Sequence, residues 1–122
     1  YSKGKFGNEI TVIRPLFFAD GTPEYLEWLM ACQAAEKAYL SLISAGRTPQ
    51  EARSVLPTSL KTEIIIKMNI REWIHFFNLR AVGKTGKPHP QIEQVASMIL
   101  EKFNKELPEL FSGVYEDYEW RK

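Results

Sequence analysis

Residues 69–80 read Asn69-Ile70-Arg71-Glu72-Trp73-Ile74-His75-Phe76-Phe77-Asn78-Leu79-Arg80. Asn69 is a good helix cap, and Glu72, three residues on, completes a capping-box pattern. The spacing predicts a helix over 70–81. At about 100° per residue, Arg71, His75 and Asn78 share a narrow polar face. Ile70, Trp73, Ile74, Phe76, Phe77 and Ala81 form a broad apolar one, and Arg80 projects from the middle of it. An arginine in that position must snorkel, pair with a carboxylate or meet an anionic ligand, because an unpaired buried charge is costly.

Working outward from this helix, residues 61–68 alternate. Thr62, Ile64, Ile66 and Met68 fall on one face and Lys61, Glu63 and Lys67 on the other, the pattern of a strand, which Ile65 interrupts. Residues 9–13 are β-prone and Pro15 closes them. Thr22-Pro23-Glu24 starts a helix that Gly46 ends, with Tyr25, Trp28, Leu29, Cys32, Ala35, Tyr39, Leu42 and Ile43 on its inner face. Thr48 and Glu51 form a second capping box. The short helix they start stops at Leu56-Pro57, which puts Arg53 in its last turn. Downstream, 83–88 is a loop and Pro90 starts a helix to about residue 107 with a core stripe of Ile92, Val95, Ala96, Ile99, Phe103 and Leu107. The expected fold is α+β, a small antiparallel sheet packed by three main helices. It forms one domain over 1–111, which opens with a loop over 1–7 and is followed by an irregular tail over 112–122.

Composition narrows the function. The 122 residues carry 16 Lys+Arg against 15 Asp+Glu, a net charge of +1. A nucleic-acid module working by bulk charge is disfavoured, and any anion site must come from a few placed arginines. One cysteine, Cys32, excludes an internal disulfide and a cysteine-based zinc site, and its place on a core face makes it a small buried hydrophobe. His75 and His89 lack partners at metal spacing, so no metal is expected. Gly83-Lys84-Thr85 resembles the end of a phosphate-binding loop, but Asn78 occupies the required upstream glycine position. No apolar run approaches a membrane span and no signal peptide opens the sequence, which suggests the cytosol. Trp28, Trp73, Phe76 and Phe77 offer apolar surface for self-association.

Taken together, Arg53-Ser54-Val55-Leu56-Pro57, Thr62, the 69–80 stretch, Gln91 and Glu93 resemble the C-terminal half of flavin-dependent thymidylate synthase, the ThyX family. The resemblance implies methylation of dUMP to dTMP, with methylenetetrahydrofolate as carbon donor and FAD, reduced by NADPH, relaying the hydride. It implies a homotetramer with sites built between subunits, and no cysteine nucleophile. Carried over by position, Arg53, Leu79 and Arg80 match residues that hold dUMP. Asn69, Arg71, His75 and His89 match FAD contacts, although the loop between Arg80 and His89 is longer than the family's usual one. The resemblance leaves the catalytic residues unknown. The family's signature, Arg-His-Arg continuing to Arg-Tyr, is not among these residues, so this chain alone is expected to be inactive. The alternative reading is a non-catalytic helical interaction or scaffold domain whose arginines are structural.

Overall fold

The computed structural model describes residues 9–122, so the loop expected over 1–7 lies outside the described residues. Five α-helices follow one another: α1 Pro23–Ser44, α2 Pro49–Ala52, α3 Ile70–Phe77, α4 Pro90–Glu106 and α5 Pro108–Glu119. A 3₁₀ turn, Arg53–Val55, extends α2, and a π-helical turn, Asn78–Val82, extends α3. The described residues form two compact units, the first ending at Ile64 and the second spanning Ile65–Lys122.

The expected α+β fold is not what forms. Among the described residues there is no strand, only one antiparallel bridge between Val12 and Leu60. Ile13 N–H donates to the Ser59 carbonyl and Lys61 N–H to the Thr11 carbonyl, each at 2.8 Å. The pairing has the expected sense but stops there. Pro15 cannot extend the first segment, and Ile64, Ile65 and Ile66 in the second stand 75%, 103% and 47% exposed. Alternation is a strand signal only where a neighbour covers one face, and a two-stranded ribbon without such cover is marginal.

In the first unit, the Thr22 hydroxyl accepts the Tyr25 N–H at 3.3 Å to start α1, with Pro23 in the first turn. Gly46, at φ 85°, follows its end. The inward stripe of α1 lies as the periodicity predicts, with Cys32 buried. Ser59 receives the Trp28 indole N–H at 3.2 Å and sits 3.8 Å from Cys32 Sγ. The Thr48–Glu51 capping box closes in both directions. The Thr48 backbone N–H, then its hydroxyl, donate to the Glu51 carboxylate and hold its pKa below the ordinary range.

The second unit has the larger core. Phe77, Ala81 and Val82 pack with Ala96 and Leu100 of α4 and with Phe111, Val114 and Tyr118 of α5. Aromatic rings make its centre. Phe77 meets Phe103 at 5.7 Å and 89°, and Phe111 at 5.9 Å and 79°, in edge-to-face contacts, and stacks on Trp73 at 5.7 Å and 27°. Phe77 is fully buried in this core, and Trp73 and Phe76 are partly buried against it. On α4 the buried stripe runs through Ala96 and Leu100, while Val95 and Leu107 are 50% and 41% exposed. Residues 112–119, expected to be irregular, continue α5, because Val114 and Tyr118 follow Phe111 at helical spacing and are buried.

Phe77 is fully buried at the meeting of α3, α4 and α5, so Phe77→Ala should cost about 3–5 kcal/mol of stability. The fully exposed Ile65→Ala should change it by less than about 0.5 kcal/mol. Urea unfolding followed by tryptophan fluorescence measures both, and similar midpoints for the two variants would contradict this core.

Candidate functional site

Six of the seven residues singled out by the sequence lie in the second unit, and five of them in one continuous stretch, 69–80. Asn69 caps α3, its Oδ1 accepting the Glu72 N–H at 2.9 Å. Arg71 and His75 follow one turn apart, both exposed, on the polar face the spacing predicts. Neither side chain has a hydrogen bond or ion pair among the described residues.

Beyond Phe77 the helical phase changes. The π turn inserts extra chain into the helix, so every following residue is rotated relative to an α-helical wheel. Asn78, expected on the polar face, turns inward, and its Oδ1 is buried without a hydrogen-bond partner. Ala81 and Val82 are both buried in the core. Leu79 is half-buried. Arg80, expected to project from the apolar face, is carried out to the surface. Among the described residues it forms no ion pair and no side-chain hydrogen bond. The carboxylate partner that a structural arginine would need is therefore absent there.

The π turn ends at Gly83, with φ 72° and ψ 43°, and the N–H groups of Gly83 and Lys84 both reach the Asn78 carbonyl. His89 caps α4, its Nδ1 accepting the Gln91 N–H at 3.3 Å. Arg53 belongs to the first unit, where it heads the 3₁₀ turn with its side chain exposed.

Chemically, all of these residues but Leu79 carry side-chain hydrogen-bond donors. A guanidinium keeps its charge at all working pH and presents a planar fork that suits phosphate or pyrimidine oxygens. Arg71 and His75 add donors on the adjoining α3 face. Among the described residues no group of three or more His, Cys, Asp or Glu could hold a metal ion, and no helix is long and apolar enough to cross a membrane. A cleft of about 510 Å³ opens between the 83–88 loop and the end of α5, but none of the seven predicted residues lines it. Sequence reasoning put Asn78 on the polar face, since its inward turn depends on the π geometry, and missed Arg121, which donates to the Val82 and Gly83 carbonyls across 39 and 38 residues. No local signal announces a contact of that span.

The family described as thymidylate synthase complementing protein, Thy1, matches residues 1–109. The chain belongs to this family. Proteins named flavin-dependent thymidylate synthase are similar to it. The one from Geobacter sulfurreducens is 50% identical over 50 residues, covering 41% of this chain and 22% of that protein. The one from Pyrococcus furiosus is 35% identical over 81 residues, covering 66% and 32% respectively. The one from Sulfurisphaera tokodaii is 36% identical over 84 residues, covering 69% and 32%. The chain thus spans about a third or less of the length of these relatives. No solved structure matches it. Within this Thy1 chain, the stretch from Asn69 to Gly83 is an α-helix lengthened by a π turn and closed by a left-handed glycine.

Gly83 is held to that role by space as well as by conformation. A Cβ there would lie 2.8 Å from Pro88 Cδ and 2.9 Å from the Gly86 carbonyl oxygen. Gly83→Ala should lose about 1–2 kcal/mol from the left-handed conformation alone, with the clash adding to it. Gly46→Ala, left-handed but with open space around it, should lose only the conformational part. Thermal unfolding compares them, and equal losses would show that the 83–88 loop gives way freely.

Proposed function

We propose that this chain supplies the nucleotide-binding arm and part of the flavin site of a flavin-dependent thymidylate synthase, an enzyme that methylates dUMP to dTMP with methylenetetrahydrofolate as carbon donor. The observation that carries the reading is Arg80, exposed and unpaired among the described residues, on a π turn in a Thy1-family chain. π turns inside helices occur frequently at functional sites, because the widened turn re-aims side chains.

In this reading Leu79 and Arg80 of the second unit are dUMP-binding positions, and Arg53 of the first unit, taken by itself, is another. The arginines neutralise and orient the nucleotide, and half-buried Leu79 gives an apolar edge beside it. Asn69, Arg71, His75 and His89 face FAD. The donor set fits a flavin dinucleotide, which presents a pyrophosphate and carbonyl oxygens as acceptors. Among the described residues Arg71 and His75 stand without partners on one exposed face, and Asn69 spends only its Oδ1 on the helix cap, leaving its amide N–H groups as donors. His89 Nδ1 is committed to the α4 cap, so its contribution comes from the rest of the ring. When bound, FAD reduced by NADPH supplies the hydride. The residues of this chain bind and orient, and uniform binding of that kind does not by itself lower a chemical barrier. The rest of the reading follows the family: a homotetrameric, cytosolic enzyme whose complete site draws on further residues.

Arg80→Lys keeps the charge and removes the planar fork. It should weaken dUMP binding by about 1.5–3 kcal/mol, the worth of a hydrogen bond to a charged group. Calorimetric titration with dUMP reads this directly, and an affinity equal to the wild type would assign Arg80 to the surface and remove the nucleotide arm.

A further inference from the structure

The π turn that carries Leu79 and Arg80 is held at its far end by the last turn of the chain. A helix end leaves carbonyls without intrahelical partners, and a widened turn gains no compensation from its own backbone. Here the Arg121 guanidinium takes two of them. Its Nη1 donates to the Val82 carbonyl at 3.1 Å and to the Gly83 carbonyl at 2.6 Å. One residue further along, Lys84 Nζ pairs with Asp117 Oδ2 at 2.8 Å, a second polar link between the same two segments. Beneath both, Val114 and Tyr118 of α5 are buried in the cluster that contains Ala81 and Val82. The family match ends at residue 109, so Arg121, Asp117 and Tyr118 all lie beyond it.

Arg80 is two residues from Val82, and the backbone between them is part of one five-residue turn. The Val82 and Gly83 carbonyls mark where the widened turn gives way to the left-handed exit, and a shift there re-aims every side chain of the turn. We propose that Arg121 is a positioning residue: by bridging the Val82 and Gly83 carbonyls it fixes the end of the π turn and so sets how Arg80 meets the anionic nucleotide. The inference rests on the nucleotide-binding role proposed for Arg80. Arginine suits the task, since its charge favours a helix C-terminus and its rigid donors can span adjacent carbonyls.

Amide hydrogen exchange on the 122-residue chain tests the clamp without any ligand. In Arg121→Ala, the Gly83 and Lys84 amides, both bonded to the Asn78 carbonyl, should exchange about tenfold faster while the α4 amides keep their rates, as expected for local opening. Arg121→Lys, which keeps the charge and one centre of donation, should fall between. Unchanged exchange at Gly83 and Lys84 overturns the proposal, and so does equal acceleration throughout α4, which would mark a global folding role. Calorimetry with dUMP on the wild type, Arg121→Ala, Arg80→Lys and the double variant then tests the consequence. Arg121→Ala should weaken binding about three- to tenfold, and that factor should vanish when residue 80 is already Lys, the signature of two residues acting through one contact. A loss with Arg80→Lys but none with Arg121→Ala overturns the positioning role and leaves the nucleotide arm standing. No loss with Arg80→Lys removes the nucleotide arm, and the exchange rates alone then decide whether the clamp exists.

Discussion

The burial of Phe77 is the constraint on which the second unit depends. Its ring lies among Trp73, Phe103 and Phe111, contributed by three different helices, with no exposed surface. Such a contact fixes the last α-helical residue of α3 in space. Whatever the chain does next must start from there. What it does is widen into a π turn, so that Ala81 and Val82 can both reach the same core while Arg80 is carried outward. Packing and the proposed function are therefore joined in one backbone irregularity: the aromatic cluster makes the turn affordable, and the turn exposes the arginine.

The turn also explains why a helical wheel misplaces Arg80 and Asn78. The wheel holds through Phe77, and the inward positions of Trp73, Ile74 and Phe77 and the exposed positions of Arg71 and His75 were legible from spacing alone. Caps were legible too, since Thr22, Thr48 and Asn69 act through their own side chains within three residues. The π turn depends on tertiary packing against α4 and α5, which no local pattern encodes. Resemblance marked Arg80 as a ligand residue, but the sequence could not say that it would stand at the surface, unpaired among the described residues.

The missing sheet has the same cause with the opposite sign. Residues 61–68 alternate as a strand does, yet period-two alternation specifies only that one face wants a cover. Among the described residues that cover is absent beyond the Val12–Leu60 bridge, and three consecutive isoleucines are left exposed. At the other end, residues 112–119 looked irregular because charges separate their aromatics. Phe111, Val114 and Tyr118 are nonetheless spaced by three and four residues, which is enough to dock a helix. Periodicity was informative in both segments, and the available partner surface decided between them.

The central claim is that the π turn presents Arg80 to an anionic nucleotide. NMR titration of the chain with dUMP, following the Arg80 guanidinium Nε–H resonance, tests it most directly. A saturable shift of that resonance as dUMP is added is the result predicted. An Arg80 resonance that stays fixed through the titration would contradict the account.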